Sequence, residues 1–165
     1  ARVPGVRGAR RGAGLYCPPV PASLSSDSLA RIREALEDVP GVAAAWVFGS
    51  VARGTARADS DIDFGVLLTE RGAEKRVEPR WLGDLASRLE TATGRTVDLV
   101  MVEAQGPILR HRILKEGLLV FDANRERRID FESDTTSRYL DFAPTFERAA
   151  RHARRGFLDW LERRP

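Results

Sequence analysis

The chain reads as a mixed α/β (α+β) domain, a small mixed sheet packed by helices and completed by a helical C-terminal segment. Three observations predict this. Short apolar, β-branched runs at residues 42–48, 62–66, 96–102 and 118–122 have strand length and strand composition. Stretches between them place apolar residues at helical spacing, as in Leu29, Ile32 and Leu36, or Trp81, Leu82, Leu85 and Leu89. The C-terminal third has no alternating pattern and repeats apolar residues every three or four positions.

The elements follow in order. Asp27 is expected to cap a first helix, which Pro40-Gly41 ends. The apolar run from Val42 to Phe48 is a buried strand, broken by Gly49, and Ser50 opens a short helical segment. Ile62, Phe64 and Val66 alternate with Asp63 and Gly65 in a second strand. Residues 70–77 form a charged loop, a helix runs from about Glu78 to Ala92, and Gly94 stops it. A third strand carries Asp98. A helix over 107–116 ends at Gly117 and leads into a short strand, 118–122. C-terminal helices begin at about residue 134, with Thr135 to Phe142 as a first portion, a kink or restart at Pro144, and a run to Arg163. Phe146, Ala150, Ala153, Phe157 and Trp160 form a narrow seam there, expected to pack back on the sheet, with a partner helix or a second copy as the other occupants. Arg148, Arg151, Arg154 and Arg155 flank it as a solvated face, or as a contact for an acidic partner or RNA.

The chemistry concentrates in Asp61 and Asp63. Residues i and i+2 of a strand share a face, so the two carboxylates project together, about 6.5 to 7 Å apart along the strand. Carboxylates that close resist joint ionisation, and a hard divalent cation such as Mg²⁺ between them removes the conflict. Asp98 lies alone in an apolar strand, where an unpaired charge is costly. If its strand neighbours the first, it faces the same pair. Three such carboxylates can hold two metal ions in the arrangement that supports in-line phosphoryl transfer. Gly49 permits close backbone approach, and the N–H groups and hydroxyl after it can hold a phosphate. Together these features describe a nucleoside triphosphate site. Each has a plainer reading taken singly: Gly49-Ser50 as an ordinary turn, Asp59-Ser60-Asp61 as a polar loop in which Ser60 satisfies backbone groups, Asp98 as an edge-strand charge, and Arg53 as half of a surface ion pair.

The pattern resembles a known family. Gly49-Ser50, Arg53-Gly54 and Ser60-Asp61-Ile62-Asp63, followed by Asp98 in its distant apolar strand, are similar to the minimal nucleotidyltransferases (MNT) of the DNA polymerase beta superfamily. The segments 106–121 and 139–142 add to the likeness, which spans about residues 27 to 162. The resemblance implies a polymerase-beta-like nucleotidyltransferase fold and an antitoxin-type member of HEPN/MNT toxin–antitoxin pairs. It implies that Gly49 and Ser50 bind the nucleotide's phosphates and that Asp61, Asp63 and Asp98 ligate two Mg²⁺ ions. Asp98 is also a candidate general base, and Arg53 either reaches a phosphate or braces the loop. The implied activity is adenylyl transfer from ATP to a tyrosine of a partner HEPN toxin. The alternatives are transfer to a small molecule or an RNA end, or an antitoxin that masks its partner by binding alone.

Composition sets the remaining bounds. A chain of 165 residues, 42% of them hydrophobic, suffices for one core. No apolar run approaches the length of a membrane span. A single cysteine, Cys17, excludes an internal disulfide framework and points to the cytoplasm. Arg10-Arg11 lacks the apolar stretch of an export signal. The net charge of +3 comes from the tail, where Arg2, Arg7, Arg10 and Arg11 meet no acid; the rest holds 23 basic against 24 acidic residues. Direct nucleic-acid binding by the domain is therefore not expected. Residues 1–22, rich in Gly, Pro and Arg, are expected to be a disordered tail, with the nucleotidyltransferase domain occupying 23–165. His111 and His152 have no ligand partners near in sequence, and a carboxylate set argues against zinc.

Overall fold

A computed structural model describes residues 24–57, 59–69 and 79–162, with side chains at 79 and beyond 155 left aside. The expected tail (1–22), Cys17 and the charged loop (70–77) lie outside the described residues. The elements are α1 (Ser26–Glu37), β1 (Val42–Phe48), α2 (Gly49–Ala52), β2 (Ile62–Leu68), α3 (Pro79–Thr93), β3 (Val97–Met101), a 3-10 turn (Val102–Ala104), α4 (Pro107–Glu116), β4 (Leu118–Asp122) and α5 (Arg125–Glu162). The strands form one sheet in the order β3-β2-β1-β4. β1 pairs antiparallel with β2 and β4, whereas β2 and β3 run parallel and are joined through α3.

Helices cover both faces of the sheet, which is why β1 and β2 are buried nearly end to end rather than on alternate residues. On one face, Ile32 and Leu36 of α1 and Leu85 and Leu89 of α3 pack on Val47, Ile62, Phe64, Val66 and Val120. On the other, Ile113 and Leu114 of α4 and Phe131 of α5 pack on Ala44, Trp46 and Leu67. Gly65 lets that second layer close down: a Cβ there would lie 2.9 Å from Val102 Cγ1 and 3.1 Å from Ile113 Cγ2.

Several expectations change. The N-cap of α1 is Ser25, whose hydroxyl accepts from the Ser28 N–H at 3.1 Å; Asp27 falls inside the first turn, where its charge favours the helix dipole. The C-terminal region is one 38-residue helix that starts at Arg125, about ten residues before the expected boundary, and it continues through Pro144. Arg128 anchors its first turns by bridging Asp122 at 2.9 Å and Glu132 at 2.8 Å. Asn124 caps the start by accepting from the Arg127 N–H at 3.0 Å. The seam does not fold back on the sheet in its described part, because Phe146, Ala150 and Ala153 are exposed.

Candidate active site

The strand order sets the two carboxylate-bearing strands side by side. Asp63 and Asp98 are register partners in the parallel β2–β3 pair, so their Cα atoms stand one strand spacing apart, about 4.8 Å, on the same face. Asp61 precedes β2 by one residue and shares that face by alternation. The mouth of β2 is tied to β3 by the Ile62 N–H donating to the Thr96 carbonyl at 2.9 Å. Ile62 and Phe64 point the other way and are fully buried, fixing the register that turns the aspartates outward.

Gly49 closes the site from the opposite flank. Phe48 of β1 is the register partner of Asp63, and the chain turns immediately afterwards with Gly49 at φ 69°. A Cβ at Gly49 would lie 1.9 Å from Asp63 Oδ2, so no side chain fits between the turn and the carboxylate. The α2 turn then presents Ser50, half-buried, whose carbonyl accepts from the Thr55 N–H at 2.9 Å. Arg53 caps α2 through its N–H to the Gly49 carbonyl at 3.2 Å, and its guanidinium meets Glu116 at 3.7 Å.

The electrostatics converge on Asp63. Its burial and then the Asp98 carboxylate push its carboxyl above the usual range; Arg53 pulls it back, and Asp61 adds a further upward push. The three carboxylates and Arg53 thus share one field. Asp98 itself is exposed on β3, an edge strand, so its cost is not the burial expected from its apolar neighbours. The desolvated member is Asp63. Among the described residues, no three His, Cys, Asp or Glu side chains already stand close enough to cage a metal ion. The donors available at this end of the sheet are hard carboxylate oxygens whose mutual repulsion a cation would relieve, which fits magnesium and not zinc.

Two residues of this end escaped the sequence reading. Arg95, just after the Gly94 stop, donates through Nη2 to the Ser60 carbonyl and so holds the Asp59–Asp61 loop against the start of β3. Only its place after a helix-ending glycine hinted at this. Glu116, the last residue of α4, gives Arg53 its partner, a pairing 63 positions apart that no local pattern reveals. Ser60 does satisfy backbone groups, its hydroxyl accepting from the Arg57 N–H at 2.9 Å, while its neighbours still deliver Asp61 to the site. His111 stacks on Tyr139 with centroids 3.7 Å apart, a packing role.

Comparison with known proteins bears on the fold that carries this geometry. A protein adenylyltransferase MntA of Shewanella oneidensis is 27% identical over 103 residues, 62% of this chain and 70% of that protein. A chain of a toxin–antitoxin crystal structure with AMP-PNP superimposes with a TM-score of 0.62 at 23% identity, covering 76% of this chain and 97% of that one. A chain from the complex of tri-AMPylated S. oneidensis HEPN toxin with MNT antitoxin gives 0.58 at 20% identity, over 76% and 95%. At these identities the structural likeness is one of fold. The sequence profile described as polymerase beta, nucleotidyltransferase matches residues 30–126, more than half of the chain and a stretch that contains Gly49, Ser50, Arg53, Asp61, Asp63 and Asp98. The chain belongs to the polymerase beta nucleotidyltransferase family.

Proposed function

We propose that the protein is a magnesium-dependent adenylyltransferase antitoxin, transferring AMP from ATP to a tyrosine hydroxyl of a partner HEPN toxin in the cytoplasm. The observation that carries the reading is the apposition of Asp63 and Asp98 across β2–β3, with Gly49 pressed against Asp63 from the start of α2. The names of the relatives support the donor and the acceptor: one is an MntA adenylyltransferase, and one neighbouring structure holds an AMPylated HEPN toxin. No helix among the described residues is long and apolar enough to cross a membrane.

In this reading, Asp61, Asp63 and Asp98 hold magnesium, which supplies positive charge that orients the triphosphate and offsets charge on the departing oxygen. The N–H groups of the Gly49-Ser50 turn and the Ser50 hydroxyl hold phosphate oxygens. Arg53 exchanges Glu116 for phosphate. Asp98, exposed on its edge strand, accepts the proton of the attacking hydroxyl. The acceptor oxygen bonds to the α-phosphorus, the bond from that phosphorus to the oxygen bridging the β-phosphate breaks, and pyrophosphate leaves.

The test is incubation of the full chain with α-labelled ATP, Mg²⁺ and the co-purified HEPN partner. Label should appear on the partner and vanish in Asp61→Asn/Asp63→Asn. Neutralisation of the partner that persists in that variant would overturn the catalytic reading.

A further inference from the structure

The described residues expose four large hydrophobic side chains, all on α5: Ile129, Leu140, Phe142 and Phe146. Leu140 is 64% exposed, and Phe142 and Phe146 are 41% and 45% exposed with their rings 6.1 Å apart. The two phenylalanines form one wall of a groove of about 340 Å³ whose other wall is the start of α4, Pro107, Ile108, Leu109 and Arg112. One turn further on, Arg148, Arg151, Arg154 and Arg155 surround a second concavity of about 530 Å³. None of these four pairs with a carboxylate among the described residues; the Nε atoms of Arg148 and Arg151 donate to the backbone carbonyls of Pro144 and Glu147. From 142 to 155 four arginines stand against one acid, Glu147. Contiguous exposed apolar side chains rimmed by charge mark a surface that a partner covers.

Charge selects the occupant. A second copy laid along this face would set arginine rows against each other. A nucleic acid would satisfy the arginines and leave the Pro107–Phe146 groove unfilled. We propose that this segment of α5, with the start of α4, is the docking face for a protein partner that presents an apolar helical ridge flanked by carboxylates. The identity of that partner rests on the reading above, in which it is the HEPN toxin; the face itself does not.

The experiment is hydrogen exchange on the full chain, alone and in complex with the co-expressed HEPN protein, together with label transfer from ATP. Exchange over 139–155 should slow at least about tenfold in the complex. Phe142→Asp/Phe146→Asp, and separately Arg151→Glu/Arg154→Glu, should each raise Kd at least about tenfold with unchanged circular dichroism. A labelled partner whose binding protects another face overturns the docking proposal and leaves the chemistry standing. A protected helix with no label on the partner does the reverse. Absence of a complex, self-association through 139–155, or binding of single-stranded RNA by the arginines without protection by the partner also overturns the docking proposal.

Discussion

Asp63 pays for its position in electrostatic terms, and this makes it the residue to test first. Its carboxyl is raised by burial, by Asp98 and, less, by Asp61. A carboxyl whose folded-state pKa exceeds its unfolded value binds protons more tightly when folded, so metal-free stability falls as pH climbs from the usual carboxylate range through the raised pKa. Thermal unfolding in EDTA should therefore show a stability loss across that window in the wild type. In Asp63→Asn the loss should shrink and the protein should melt higher at neutral pH, while label transfer drops by at least about a hundredfold. An unchanged pH profile in the variant would remove Asp63 from the charge conflict. Gly49→Ala tests the same contact from the other side. The positive φ alone costs about 1–2 kcal/mol, and the new methyl must displace the Asp63 carboxylate. Reduced melting temperature and reduced transfer are both expected, and a fully active, equally stable Gly49→Ala would show that the close approach is not required.

At the scale of elements, the strands and the helices beneath them were legible because each obeys one period. Val42–Phe48 and Leu118–Asp122 are short apolar runs, and Leu85 and Leu89 sit at helical spacing. The C-terminal helix departs from expectation at two points, its start and Pro144. Its first turns precede the expected start at about residue 134 because their stabilisation is the Asp122–Arg128–Glu132 bridge, which needs β4 beside the helix. Arg128→Met strands two partly buried carboxylates and should cost about 2 kcal/mol in chemical denaturation. Pro144 is expected to kink or restart the helix, yet the helix continues through it, forgoing the bond a residue-144 N–H would give the Leu140 carbonyl. Pro144→Ala should restore that bond and favour the helix by about 1–3 kcal/mol locally. Slower amide exchange over 141–150 would report the gain, and unchanged exchange there would mean that the proline costs the helix nothing.

On the scale of the whole molecule, the sequence exposed the parts of the site but not their assembly. Glycine-serine and the Asp-x-Asp pair are local and visible, whereas the apposition of Asp63 to Asp98 depends on a parallel pairing across the α3 connection, and the Arg53–Glu116 contact on α4 returning to the same end of the sheet. The candidate site therefore joins residues from α2, β2, β3 and α4, so occupying it ties together much of the fold. A ligand that binds only the folded state stabilises it by RT ln(1 + [L]/Kd), about 2.7 kcal/mol at a hundredfold excess over Kd. For a chain of this size that corresponds to a rise in melting temperature of roughly 5–10 °C. ATP with Mg²⁺ should produce such a shift. ATP with EDTA should produce far less, because the triphosphate then meets three carboxylates without a cation between them. Asp61→Asn/Asp63→Asn should respond weakly and equally with and without Mg²⁺. Were the wild type to show the same shift in EDTA as in Mg²⁺, these aspartates would not be holding the ion, and nucleotide recognition would have to rest on Arg53 and the Gly49-Ser50 turn alone.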